Sequence, residues 1–378
     1  MSDFASFTST FDLSTLTSAA NPAGISVGIG GGLTGIGVLS FLFFILPVWH
    51  HEIQFVFKIG MEGSEYNEDG QPTPPWGGAP RIRVYDNMGK FLGKTSLFGY
   101  ACLNGRENCV AHVHPVKRQP AYAMIGGNRG PLCLAAVGVT YESGDRYGWV
   151  GNWAQTCEQP WYYSAHNAVM DNATFGLNCA WIGRRDRQSH HKKHRNLKMG
   201  IPTGIRIHFI EFTEAYRAIN DDEYYCRENN TALAFHMNKH PGFFDGTSLP
   251  ERVYHRPPHK RDETQAEKER ARSISSEISS DMWKQSVKSH MNHHSAKYLC
   301  GSSSSAGPSL VAMSERLFCH MPDKVLYQFC ADVESGSCWD HEAHSFDAKG
   351  LGKIHARAAL PNIYFDKPLV WGAPEESS

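Results

Sequence analysis

Histidines at ligand spacing are the first chemistry the sequence offers. The chain has 20 histidines in 378 residues, and two groups recur at intervals a metal could use. His112-x-His114 places both imidazoles on one face if the segment is extended, because side chains alternate along a strand. His341-x-x-His344, with Asp340 and Glu342 beside it, has the spacing of ligands on a helix. Neither matches HExxH or another established metal signature. The reading is therefore satisfied or surface histidines, with no metal and no cofactor expected. His190, His191 and His194 stand beside Lys192 and Lys193, whose charge repels a cation.

Hydrolytic groups are sparser. No nucleophile elbow is read from the sequence: its one GxSxG match, Gly24-Ile25-Ser26-Val27-Gly28, falls within the uncharged apolar run 24–49. Glu142, Asp145 and Glu158 flank an aromatic run, as glycosidase carboxylates often do. In Glu142-Ser-Gly-Asp, Asp145 is better read as shaping a turn. The aromatic run is densest between Cys133 and Ile182, which holds Trp149, Trp153, Trp161 and Trp181 with the pair Tyr162 and Tyr163. Such rings either form a core around disulfides, as tryptophan does in sandwich domains, or present flat apolar faces to a sugar or a protein. Trp149 and Trp161 are assigned to the core. Trp153, Tyr162 and Tyr163 remain as candidate ligand-binding residues. Strand alternation predicts Trp149 and Trp153 on one face, and Trp161 and Tyr163 together on another.

The N-terminal third contains a second chemical possibility. Gly30-x-Gly32-x-x-Gly35 is a dinucleotide fingerprint, which would make the chain a nucleotide-binding oxidoreductase. Two features oppose it. The helix it needs, VLSFLFFILPVW, is apolar on every face and contains a proline. The acidic ribose ligand is also missing, since Phe57 and Lys58 stand at its place. Residues 24–49 carry no charge and are long enough to cross a bilayer, which takes roughly 20 apolar residues. Small residues at Gly24, Gly28 and Gly32 have the spacing at which membrane helices approach closely. A transmembrane or signal-anchor segment in contact with the lipid bilayer is the preferred reading.

Bulk properties narrow the rest. Hydrophobic residues make up 41% and charged residues 20%, so the chain can bury a core of ordinary size. A net charge of -1 supplies no field that would draw it to nucleic acid, and none is expected as a partner. The basic run 184–198 lacks interleaved aromatics and reads as a solvated loop. Ten cysteines, Cys102, Cys109, Cys133, Cys157, Cys179, Cys226, Cys300, Cys319, Cys330 and Cys338, include no CxxC. Together with sequons at Asn172 and Asn229, they favour disulfides and the secretory pathway. The expected placement is membrane-anchored with the C-terminal domain outside, or secreted.

The elements that must position these groups are mostly strands. Residues 1–23 form a Ser/Thr-rich tail predicted to be disordered, and 24–49 the membrane segment. Residues 50–249 alternate like a β-rich core: HEIQFVF, then a hairpin over 81–95 turning at Asn87-Met-Gly-Lys, then LCLAAVGVTY, RYGWVGNW, WYYS and IRIHFIEF. His112 and His114 are assigned to a connection. A short helix capped by Thr213 is predicted over 213–225. Residues 250–294 read as a charged linker or exposed helix. Residues 295–346 read as a Cys-rich segment packing on the core, with Cys319 and Cys330 spaced for a stapled hairpin but their partners undetermined. Residues 347–378 read as a tail. The fold class expected is mainly β, an antiparallel sandwich or barrel, stapled by disulfides, with a few helices and one N-terminal transmembrane helix.

Four motifs carry a resemblance. GDRYGWVGNWAQTC (144–157), QPWYYS (159–164), CAWI (179–182) and HSAKYLCGSSSSAGPSLVAMSERLFCHM (294–321) together resemble a family of cysteine- and tryptophan-rich secreted or surface proteins of filamentous ascomycete fungi. The resemblance runs over residues 80–345 and implies an extracellular, fungal setting with no assigned activity. The basic run 184–198 departs from the short acidic turn expected after CAWI, and the Gly-rich N-terminus departs from a simple signal peptide. The function expected is a non-enzymatic surface or secreted domain, in contact with cell-wall polysaccharide or a surface protein. A carbohydrate-binding or carbohydrate-active protein is the alternative, and the oxidoreductase a second one.

Overall fold

A computed structural model describes residues 52–61, 80–100, 108–114, 118–127, 131–170, 173–183, 201–217, 220–227, 231–236, 284–349, 361, 365 and 368–372. The membrane segment 24–49, Gly30, Gly32 and Gly35, Cys102, both sequon asparagines and the basic run 184–198 lie outside these residues. Among the described residues no helix is long and apolar enough to cross a membrane.

The mainly β reading holds. Strands β1 (Ile53–Ile59), β2 (Arg81–Tyr85), β3 (Phe91–Tyr100), β4 (Asn108–Val113), β5 (Tyr122–Gly126), β6 (Pro131–Thr140), β7 (Arg146–Val150), β8 (Trp161–Met170), β9 (Ala173–Gly183), β10 (Gly204–His208) and β11 (Leu233–His236) form one sheet. Its order is β11-β10-β5-β2-β3-β4-β1-β6-β9-β8, with β7 also on β6. Every pairing in it is antiparallel. The predicted hairpin over 81–95 is the β2–β3 pair.

Strand β1 shows why the sheet folds this way. Ile53, Phe55, Phe57 and Ile59 alternate onto the core face and are fully buried. Strand β6 is buried along nearly its whole length, as expected of a central strand, and it serves two neighbours on one side. Ala136–Thr140 pair with β7, whereas Pro131–Leu134 pair with β9. The handover falls at Gly151, where a Cβ would lie 2.5 Å from the Leu134 and Asn178 carbonyl oxygens. Only a residue without a side chain lets the chain leave β7 so close to both neighbours.

A second sheet is built from the C-terminal part. Strands β12 (Ser286–Ser289), β13 (Ser309–Ala312), β14 (Leu317–His320), β15 (Val325–Gln328) and β18 (Leu369–Trp371) run in the order β15-β14-β13-β12-β18. Strand β12 is parallel to both of its neighbours. A hairpin of β16 (Gly336–Asp340) and β17 (Ser345–Lys349) packs beside it through Phe318, Trp339, Phe346 and Phe365, with Phe318 stacked on Trp339 at 4.0 Å.

Several boundaries are corrected. The linker assigned to 250–294 ends in β12, a strand interior to the second sheet, and the tail assigned to 347–378 contains its edge strand β18. Neither was legible because a four-residue or three-residue strand carries too little alternation to stand out. The 213–225 helix is two short helices, α2 (Glu214–Arg217) and α3 (Asp222–Cys226), the second capped by Asp221. Trp153 lies on helix α1 (Asn152–Thr156), not on a strand with Trp149.

Eight cysteines pair as Cys133–Cys179, Cys157–Cys226, Cys300–Cys319 and Cys330–Cys338, and Cys109 is disulfide-bonded as well. Cys319 and Cys330 therefore do not staple the β14–β15 hairpin to each other. Cys319 reaches back to helix α4 (Ala296–Gly301), and Cys330 forward to β16. The Cys133–Cys179 bridge lies under Gly60, where a Cβ would sit 2.4 Å from the Cys179 Cβ. Gly60→Ala should cost about 1–3 kcal/mol, the usual range for overpacking, read as a lower denaturant midpoint at unchanged slope. A stability equal to wild type would show that this contact is not tight.

Candidate functional site

The aromatic run proves to be interior. Trp153 is 1% exposed, Tyr162 0% and Tyr163 4%, so none of the three offers a ring to a ligand at the surface. Alternation along β8 explains their directions. Trp161 and Tyr163 share one face, as predicted, and their rings meet edge to face at 5.3 Å. Tyr162 and Trp181 share the opposite face, since Tyr162 pairs with Cys179 and Trp181 follows two residues on.

All four rings then commit their polar atoms to one segment, residues 295–308. Trp161 Nε1 donates to Ser302 Oγ at 3.2 Å, and Tyr163 OH to the Ser295 carbonyl at 3.2 Å. On the other face, Tyr162 OH donates to the Pro308 carbonyl at 2.9 Å and Trp181 Nε1 to the Ala306 carbonyl at 2.7 Å. Backbone bonds join the same partners, Trp161 N to Ser304 O and Ala306 N to Trp161 O. Gly307 lies against the Tyr162 ring, whose Cδ2 would be 2.4 Å from an added Cβ. Burial raises the Tyr162 hydroxyl well above its ordinary range, so it stays a neutral donor. His294, also buried, stacks on Tyr163 at 4.5 Å and is pushed well below the usual histidine range by burial and by nearby His293.

The histidine groups separate sharply. His341 and His344 sit in the turn between β16 and β17, not on a helix, and their ligand spacing is not realised. His341 stacks on Phe329 at 4.6 Å, and Asp340 Oδ1 accepts the Glu342 and Ala343 amides. Asp145 accepts the Ser143 hydroxyl at 2.7 Å and shapes its turn as predicted.

His112 and His114, assigned to a connection, instead lie on and just after strand β4. Strand β4 pairs with β1 so that Gln54 faces His112 and Ile53 faces Val113. Continuing that register puts Glu52 opposite His114, on the face away from Phe55 and Ala111. Glu52 is a buried residue, its side chain 7% exposed. Its Oε1 meets His112 Nδ1 in a close contact and lies 3.3 Å from His114 Nε2. The two imidazoles are nearly parallel at 12°, with centroids 6.0 Å apart. Burial, then the charge of His114, lowers the His112 pKa and favours the neutral ring. The His-x-His spacing was visible in the sequence. Glu52 was not, because only strand pairing brings it there.

A third cluster, also missed, surrounds Glu211 in the 3-10 turn Phe209–Phe212 that follows β10. Glu211 accepts from His208 Nδ1 at 2.5 Å, from the Thr231 hydroxyl at 2.7 Å and from Tyr224 OH. Burial by itself would raise its pKa, but these donors outweigh burial and hold it below the usual carboxylate range. The cluster ties the turn to α3, next to the Cys157–Cys226 bridge, and its role is structural. In the 302–305 turn, Lys324 Nζ donates to the Leu299 and Ser305 carbonyls, while Ser305 Oγ donates to the Leu299 carbonyl at 2.7 Å. Burial pushes Lys324 down to about 7. Because that hydroxyl is wholly enclosed, this serine–lysine pair closes the end of α4 and exposes no nucleophile.

Compared with protein-family models and with curated proteins, the chain matches none.

Two outcomes follow from these geometries. Tyr162→Phe strands the buried Pro308 carbonyl and should lower stability by about 1–3 kcal/mol, measured by denaturant unfolding; no loss would mean that water replaces the hydroxyl. Glu211 has a depressed folded pKa, so its contribution is present above the unfolded carboxylate value and is lost as pH falls through the folded one. Glu211→Gln should therefore flatten the acid limb of the stability–pH curve. An unchanged acid limb would show that Glu211 is not a source of acid sensitivity.

Proposed function

We propose that this chain is a non-enzymatic, disulfide-stapled β-rich scaffold working outside the cytosol, at a fungal surface or wall. One observation carries the reading. Of the aromatic residues that could have served as a sugar-binding platform, Tyr162 and Tyr163 are spent with Trp161 and Trp181 on joining two sheets, their hydroxyl and indole donors engaged, and Trp153 is buried against Phe212 and Tyr225. The bridges support an oxidising compartment, because thiols in the cytosol are kept reduced. Cell-wall polysaccharide or a surface protein remains the proposed partner, met by surfaces other than Trp153, Tyr162 and Tyr163. Residues 24–49 supply the proposed membrane anchor, on the strength of their uncharged, apolar composition.

The test is thiol labelling of the full chain, purified from a secretory host without reductant. Under native and denaturing conditions, Cys133, Cys157, Cys179, Cys226, Cys300, Cys319, Cys330 and Cys338 should all resist alkylation. Labelling of these residues under denaturing conditions sinks the extracytosolic reading. A glycan array reports on the carbohydrate alternative: a sugar bound by wild type and lost in a folded Tyr163→Phe variant would replace the scaffold reading.

A further inference from the structure

The geometry points to a divalent transition-metal site formed by Glu52, His112 and His114. Three donor atoms, one from each residue, lie within 4.8 Å of one another. In a tetrahedral zinc site with bonds near 2.0–2.2 Å, ligand atoms stand about 3.3–3.5 Å apart. The Glu52 Oε1 to His114 Nε2 distance of 3.3 Å falls in that range. His112 Nδ1 meets the same oxygen more closely than two ligands of one ion stand, so its ring has to turn aside to admit the ion. Two imidazole nitrogens and one carboxylate oxygen form a donor set for zinc, copper or another first-row ion. Calcium and magnesium, which take oxygen ligands, fit it poorly.

The frame favours a held site over a chance meeting of side chains. His112 projects from β4, and Glu52 and His114 directly flank the Ile53–Val113 end of the β1–β4 pair, whose opposite face is locked in the core by Ile53, Phe55, Ala111 and Val113. The backbone spacing of the ligands is thus set by the sheet. Exposure rises across the set: the Glu52 side chain is 7% accessible, His112 25% and His114 50%. A buried anion lies at the bottom and imidazoles stand at the mouth, which gives an ion a path in and leaves the outer side of the site for solvent. The competing arrangement is a carboxylate that simply accepts two N–H bonds, one from each ring. It accounts for the contacts but gives no saturable metal binding.

The experiment uses the chelator-stripped full chain titrated with Zn2+ and, separately, Cu2+, followed by calorimetry and by metal analysis after dialysis. One equivalent of ion should bind, and His114→Ala should weaken it at least about 10-fold, since losing a ligand exceeds the usual effect of losing an outer partner. His114 is half exposed, so this variant should keep its fold, checked by circular dichroism. Glu52→Gln should weaken binding likewise, and Zn2+ should raise the melting temperature of wild type more than that of either variant. In the Cu2+ form, electron paramagnetic resonance should show coupling to two imidazole nitrogens. No saturable binding of either ion, or an affinity unchanged in both variants, overturns the site.

Discussion

The rest of the structure depends on how strand β8 is closed off. It stands at the end of the large sheet, where an open edge would present unpaired amides and carbonyls to any passing chain. Residues 302–308 cover its start with backbone bonds, and side chains from both faces of the strand pair reach round to the same segment. Each bond is modest, about 0.5–1.5 kcal/mol net. Their effect comes from position, because they fasten one sheet to the other along a buried seam. The seam requires Gly307 against the Tyr162 ring and carries His294 neutral against Tyr163.

The motifs that looked separate in the sequence are the two halves of this seam. QPWYYS and CAWI supply the rings, and the stretch from Ser295 to Pro308 supplies the carbonyls and hydroxyls. Their joint occurrence has a physical reason, since either half alone would leave polar atoms buried without partners. The disulfides act on a different scale. Cys133–Cys179 ties β6 to β9 beneath Gly60, Cys157–Cys226 ties α1 to α3, Cys300–Cys319 ties α4 to β14, and Cys330–Cys338 ties the turn after β15 to β16. None of these four joins the large sheet to the small one. Among the described residues the aromatic seam, with the core the two sheets share, makes that join.

Two buried carboxylates in the described residues gather polar partners around them in different ways. Glu211 is satisfied by three donors and behaves as a structural anion. Glu52 meets two imidazoles among the described residues, on a face that opens toward solvent. The donor sets set the two apart. Hydroxyls and a single imidazole quench one carboxylate, while a pair of imidazoles leaves the other with the makings of a ligand set.

The sequence by itself determined the local facts: alternation that makes strands of β1, β2, β6 and β8, the 81–95 hairpin, the Asp145 turn, the face shared by Trp161 and Tyr163, and the thiols available for bridges. These depend on neighbours one to four residues away, where period and turn chemistry speak directly. Only the tertiary structure decided which cysteines pair, that Tyr162 and Tyr163 point into a seam and not toward a ligand, and that Glu52 joins His112 and His114. It also decided that β12 and β18 are strands at all, since their short runs are held by parallel partners far off in the chain. The reason is common to all four. Each is a long-range contact, and a residue's own type says what it can bond but not which distant surface will be there to receive it.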